Sequence, residues 1–148
     1  MAGIPQVTKT GPRTYVPAVG QVITGGQLVE GTTGGRIRVA TAGSTRVLGV
    51  AVTDAVAPES LVTDPTLVNG QYVLNAAPRP QNVAVAYGGI EVPVVYSAAA
   101  AFGDLLIAAA NGQVAPAGAT PDARTIVGRC TAPAGVTTPG QVGLMRTV

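Results

Sequence analysis

Arg36-Ile37-Arg38-Val39 alternates strictly between a charged and a β-branched residue. With a side-chain period of two, that spacing puts both arginines on one face of a strand and both branched residues on the other. Val47-Leu48-Gly49-Val50-Ala51-Val52 follows as an almost continuous apolar run and reads as a more buried strand. Further along, Tyr72-Val73-Leu74, Val83-Ala84-Val85-Ala86-Tyr87, Ile90-Glu91-Val92, Val94-Val95-Tyr96 and Val142-Gly143-Leu144-Met145 repeat the short β-favouring pattern. The runs are separated by turn residues at roughly the 8–12 residue spacing of sandwiches and barrels.

The strongest turn signals are Asn69-Gly70 and Asn111-Gly112, with Gly88-Gly89 as a third. Asn-Gly suits a type I′ hairpin because both central residues need positive φ. The chain is therefore expected to be all-β, a small β-sandwich or β-barrel of short antiparallel strands. Alanines at 98–101 and 108–110 offer a helix over residues 98–110 as the competing reading, which Gly103 weakens. Residues 1–18 carry Pro5, Gly11, Pro12 and Pro17 without alternation and read as an extended N-terminal arm. Residues 19–148 form the single β domain, in which the Pro-containing stretch 60–80 is a loop or an inserted hairpin.

The two halves resemble each other. Gly26-Gln27-Leu28-Val29 followed by Gly35-Arg36-Ile37 matches Gly103-Asp104-Leu105-Leu106 followed by Gly112-Gln113-Val114, with the glycines nine residues apart in both. Val16-Pro17 or Val92-Pro93 precedes each copy, and a strand follows, Arg46-Val47-Leu48-Gly49-Val50 or Thr125-Ile126-Val127-Gly128-Arg129, displaced by two residues. Gly- and Val-rich β proteins also imitate themselves by chance. The alternative is an internal two-fold repeat of β-hairpin units packed on each other.

Charged residues make up 11% of the chain and aromatic residues 3%, against a usual charged share of about 25%. The core must be built from Val, Ile, Leu and Ala, and the surface is neutral enough to suit burial by partners. One lysine and eight arginines, net charge +2, are scattered rather than gathered in a patch, which argues against nucleic-acid binding. Apolar runs such as residues 97–102 fall short of the roughly 18 residues of a membrane span. Met1-Ala2-Gly3-Ile4-Pro5 lacks a signal-peptide pattern, so no membrane partner and synthesis in the cytoplasm are expected. Cys130, the single cysteine, reads as a small buried filler.

Chemistry is scarce. With no histidine, Ser–His–Asp and Cys–His machinery is excluded together with the commonest zinc ligand sets. The acids Glu30, Asp54, Glu59, Asp64, Glu91, Asp104 and Asp122 show no calcium-loop spacing. Asp54 and Asp104 could meet if the repeats pair. Gly31-Thr32-Thr33-Gly34-Gly35 lacks the ending of a phosphate loop and reads as a turn. Tyr15, Tyr72, Tyr87 and Tyr96 are better strand-boundary residues than a stacking platform. No enzyme, cofactor or metal site is expected.

Taken together, Gly26-Gln27-Leu28-Val29, Val47-Leu48-Gly49-Val50-Ala51-Val52-Thr53-Asp54-Ala55, Gly103-Asp104-Leu105-Leu106, Asn111-Gly112-Gln113-Val114 and Ile126-Val127-Gly128-Arg129 resemble the small capsid decoration (cement) proteins of tailed bacteriophages. That resemblance implies a non-enzymatic virion protein, made in the host cytoplasm and bound to the outer surface of the expanded capsid. It would act as a homo-oligomer, commonly a trimer, that stabilises the capsid by tying neighbouring major capsid proteins together. Lys9, Arg13 and Tyr15, on the expected arm, are the capsid-contact candidates. The alternative within the virion is a head-fibre or tail-associated β domain that binds a host surface.

Overall fold

The computed structural model describes residues 11–60, 66–73 and 80–148. The chain folds into β1 (Arg13–Tyr15), β2 (Val22–Ile23), β3 (Leu28–Gly31), β4 (Ile37–Val39), β5 (Val47–Ala51), β6 (Ala55–Val56), β7 (Thr66–Val68), β8 (Gln71–Val73), β9 (Val83–Ala86), β10 (Glu91–Val95), β11 (Leu105–Ala108), β12 (Val114–Pro116), β13 (Ile126–Cys130) and β14 (Val142–Thr147). It is all-β, with short 3-10 turns and no α-helix among the described residues.

Two five-stranded antiparallel sheets, ordered β1-β9-β5-β3-β4 and β10-β14-β13-β11-β12, carry the fold. Position by position they are the same sheet. In the first, Val29 pairs with Val39 and Glu30 with Arg38; in the second, Leu106 pairs with Pro116 and Ile107 with Ala115. A register shift falls between Val29 and Glu30 against β5, and between Leu106 and Ile107 against β13. The turn joining β3 to β4 holds Gly34 and Gly35 at φ 76° and 72°; the turn joining β11 to β12 holds Asn111 and Gly112 at 58° and 68°. Shared pairing, bulge and turn geometry make the internal repeat a structural fact. One detail of the alignment changes. Parallel bridges join Pro17 to Ile37 and Tyr96 to Val114, so Pro17 corresponds to Tyr96, and the Val16-Pro17 and Val92-Pro93 dipeptides are not equivalent. Those bridges curl each sheet towards its own far edge without closing a barrel.

Each sheet encloses apolar side chains, and the two share a core. Val29, Ile37, Ala51, Val83 and Val85 line the inside of the first repeat with Ile23 and Ala55 of the small β2–β6 pair. Leu28, Val50 and Ala86, on the opposite face of the same strands, join Val92, Val94, Leu106, Val114 and Met145 of the second repeat. Strands β3 and β9, and β5 from Gly49 onward, are thus buried on both faces, which suits the apolar residues 49–51 without alternation. The Asn111-Gly112 turn is pressed against the first repeat: a Cβ on Gly112 would lie 2.8 Å from the Leu28 carbonyl oxygen and 2.9 Å from Val39. Across the same seam Gly43 N–H donates to the Ala108 carbonyl at 2.9 Å.

Two expectations change. The helical alternative over 98–110 gives way to β11, where Leu106 and Ala108 are buried while Leu105 is exposed, a period of two. Ile90-Glu91-Val92 and Val94-Val95-Tyr96, read as separate strands, form one strand through Pro93. β10 is an edge strand, and hydrogen bonds from Thr147 N–H to the Ile90 carbonyl and from Tyr96 N–H to the Gln141 carbonyl fix its register. In that register Pro93 faces the open side, where a missing N–H costs no ladder bond. Of residues 1–18, positions 1–10 lie outside the described residues, while Arg13–Tyr15 pairs with β9 as a sheet edge. Within 60–80, the described residues form the β7–β8 hairpin, turning on Asn69 and Gly70 at φ 50° and 77°.

Candidate functional site

Three acids, Glu30, Asp54 and Asp104, are held in structural hydrogen bonds. Glu30 is 3% exposed, and its carboxylate accepts from Arg38 Nε at 2.6 Å and from the Thr41 N–H and hydroxyl at 3.3 Å. Burial alone would raise its pKa, but hydrogen bonds from Ser44, Arg38 and Thr41 outweigh that and hold it below the ordinary range. Asp54 accepts from Gly25 N–H at 2.7 Å and Asp104 from Ala101 N–H at 2.8 Å. Each acid therefore braces a turn in its own repeat, and no hydrogen bond joins the two. Among the described residues no three metal-ligating side chains gather.

The tyrosines are divided between structural roles and the surface. Tyr96 is fully buried and its hydroxyl donates to the Leu144 carbonyl at 2.8 Å. Burial pushes its pKa above the usual phenol value, so the hydroxyl stays protonated. Cys130 is buried as well, the filler its apolar neighbours suggest. Tyr72, by contrast, is 77% exposed on the hairpin, directly opposite Leu67 at 60%.

Of the three capsid-contact candidates, Lys9 lies outside the described residues. Arg13 and Tyr15 share β1, with the Arg13 guanidinium 5.6 Å from the centre of the Tyr15 ring, within cation–π range. Val52, Val142 and Val95 line an apolar groove of about 340 Å³ where the Gly25-Gly26 turn meets β10.

A further surface was not singled out from the sequence. Glu91, Arg146, Arg129 and Leu105 stand in register across β10, β14, β13 and β11, so their side chains form one row on the outer face of the second sheet. Leu105, Arg129 and Arg146 also line a shallow depression of about 360 Å³ with Gly128, Thr131 and Val148. Arg129 Nη1 donates to the Gly103 carbonyl at 2.7 Å, which orients its guanidinium. The sequence signal for this row is partial. Aligning the repeats already sets Arg129 against Val50, but the partner of Arg146 is fixed only by the strand pairing.

No protein-family model matches this sequence, and no curated protein matches it. Its fold is similar to that of the head fibre gp8.5 N base of bacteriophage phi29, at 16% identity and a TM-score of 0.60, over 93% of this chain and 94% of that one. It is also similar to part of the pre-mature gene product 12 of phi29, at 18% identity and a TM-score of 0.50. That match covers 97% of this chain but 22% of the other. The all-β fold described above is thus one also found in bacteriophage phi29 proteins.

Proposed function

We propose that this chain is a structural protein of a tailed-phage particle. It binds the outer surface of the expanded head and ties neighbouring major capsid proteins together. The observation that carries this reading is the likeness of fold, over nearly the full length of both chains, to the base of a phage head fibre. The charged content of 11% and the absence of histidine support a role in contact rather than catalysis. On this reading Lys9, Arg13 and Tyr15 contact the capsid, and the protein acts as a homo-oligomer, a trimer in the first instance. Many weak contacts repeated around a symmetric shell then gain strength by avidity.

The same likeness favours a second reading, in which the domain is the base of a head fibre and serves as an anchor rather than a stabiliser. One experiment separates them. Purified protein is mixed with undecorated expanded shells and with unexpanded precursor shells, and binding is followed by sedimentation and electron microscopy. Saturable binding to expanded shells that also raises their resistance to heat supports the stabilising role. Binding without any gain in shell stability supports the fibre base, and no binding to either shell overturns both.

A further inference from the structure

The internal repeat provides a comparison that a single domain lacks. In the first repeat, Leu28, Val50 and Ala86 stand in register on the outer face of the sheet. All three are at most 1% exposed, because the second repeat docks on them. The equivalent row of the second repeat is Leu105, Arg129 and Arg146. Nothing among the described residues covers this row, and both arginines are exposed.

A face that merely ends an array needs polar residues for solubility, and any polar residue would serve. Two like charges directly opposite each other on neighbouring strands are destabilising, whereas an oppositely charged pair would stabilise. The acid next in the row, Glu91, faces Arg146 across β10 and β14, yet the two make no ion pair within 4.0 Å. Arg146 has no hydrogen-bond partner among the described residues, and Arg129 is held by a backbone carbonyl rather than by a carboxylate. The pair is therefore electrostatically incomplete, beside an apolar side chain and a shallow depression.

We propose that the Leu105, Arg129 and Arg146 row is a docking surface for an acidic segment of a partner protein. Carboxylates of that segment pair with the two guanidiniums, and an apolar side chain rests on Leu105. Arginine suits this role because its planar fork binds carboxylates in a bidentate manner. The inference rests on the proposed function, under which that partner is a protein of the head shell.

The test compares the wild-type chain, the Arg129→Glu/Arg146→Glu double variant, the milder Arg129→Gln/Arg146→Gln variant and an Arg124→Glu control for binding to expanded shells. Thermal unfolding confirms that each is folded, and the Gln variant stands in if charge reversal prevents folding. The double reversal is expected to weaken binding about tenfold or more, the Gln variant less, and the control not at all. Wild-type affinity should also fall as salt rises, and less so for the Gln variant. Wild-type affinity in both double variants overturns the docking surface while leaving the proposed function intact. Failure of the wild-type chain to bind shells overturns the proposed function, and the docking surface with it. If the variants change the oligomeric state of the free protein and not shell binding, the row is a self-association surface and the proposal falls.

Discussion

Leu28 and Leu105 hold the same position in the two repeats, yet Leu28 is 0% exposed and Leu105 is 36% exposed. The difference follows from stacking. The outer face of the first sheet is covered by the second, whose own outer face is left open.

Leu28→Ala is expected to cost about 2–5 kcal/mol, because it opens a cavity at the seam between the repeats. Leu105→Ala should cost less than about 1 kcal/mol, since most of what it loses is surface contact. Urea unfolding of the two variants checks the pair. Equal losses would contradict the stacking.

Gly49 and Gly128 occupy equivalent positions beside the bulges. A Cβ there would run into the carbonyl oxygens of Ala86 and Arg146 respectively. Alanine at either site should destabilise by about 1–3 kcal/mol or more, since backbone on the neighbouring strand has to move. Gly118, with nothing within 4 Å of its Cβ position, should accept alanine within about 0.5 kcal/mol. Thermal denaturation of the three variants is the measurement.

Glu30 sets an acid limit. Its folded pKa is lowered, so its contribution is present above the unfolded value of about 4.3 and is lost as pH falls through the lower folded value. Glu30→Gln should cost about 1–3 kcal/mol at pH 7, because it leaves Arg38 without its carboxylate. The gap between wild type and variant should narrow as pH falls below the unfolded value of about 4.3. A gap that is constant with pH would mean that the carboxylate does not titrate with folding.

Tyr96→Phe removes the donor to Leu144 and keeps the ring. A loss of about 1 kcal/mol is expected from one hydrogen bond, against about 3–5 kcal/mol for Tyr96→Ala, which empties the core. Because burial keeps the phenol protonated, the loss in the Phe variant should not vary between pH 6 and pH 9. Chemical denaturation across that range reads it.

Much of this architecture is local in origin and is legible in the sequence. Strict alternation at residues 36–39 marks β4, and the two Asn-Gly pairs mark two positive-φ turns. The match between Gly26-Gln27-Leu28-Val29 and Gly103-Asp104-Leu105-Leu106 marks the repeat. Pro93 was misleading, because a proline reads as a break unless its strand is known to be an edge. The alanines near 98–110 favour the competing helical reading, but intrinsic helix preference is a few tenths of a kcal/mol per residue and pairing on both sides of β11 outweighs it.

The sequence by itself determined the strand-and-turn alphabet and the absence of histidine chemistry, and it raised the duplication as one of two readings, because period, turn geometry and composition are properties of short stretches of chain. Only the tertiary structure decided which face of each repeat is covered. It set Val50 and Ala86 in the dry seam and Arg129 and Arg146 opposite each other in the open. The reason is physical: strand order and stacking bring together residues far apart in the chain. No local pattern records that one copy of a repeated face is covered by the other repeat while the second copy is left open.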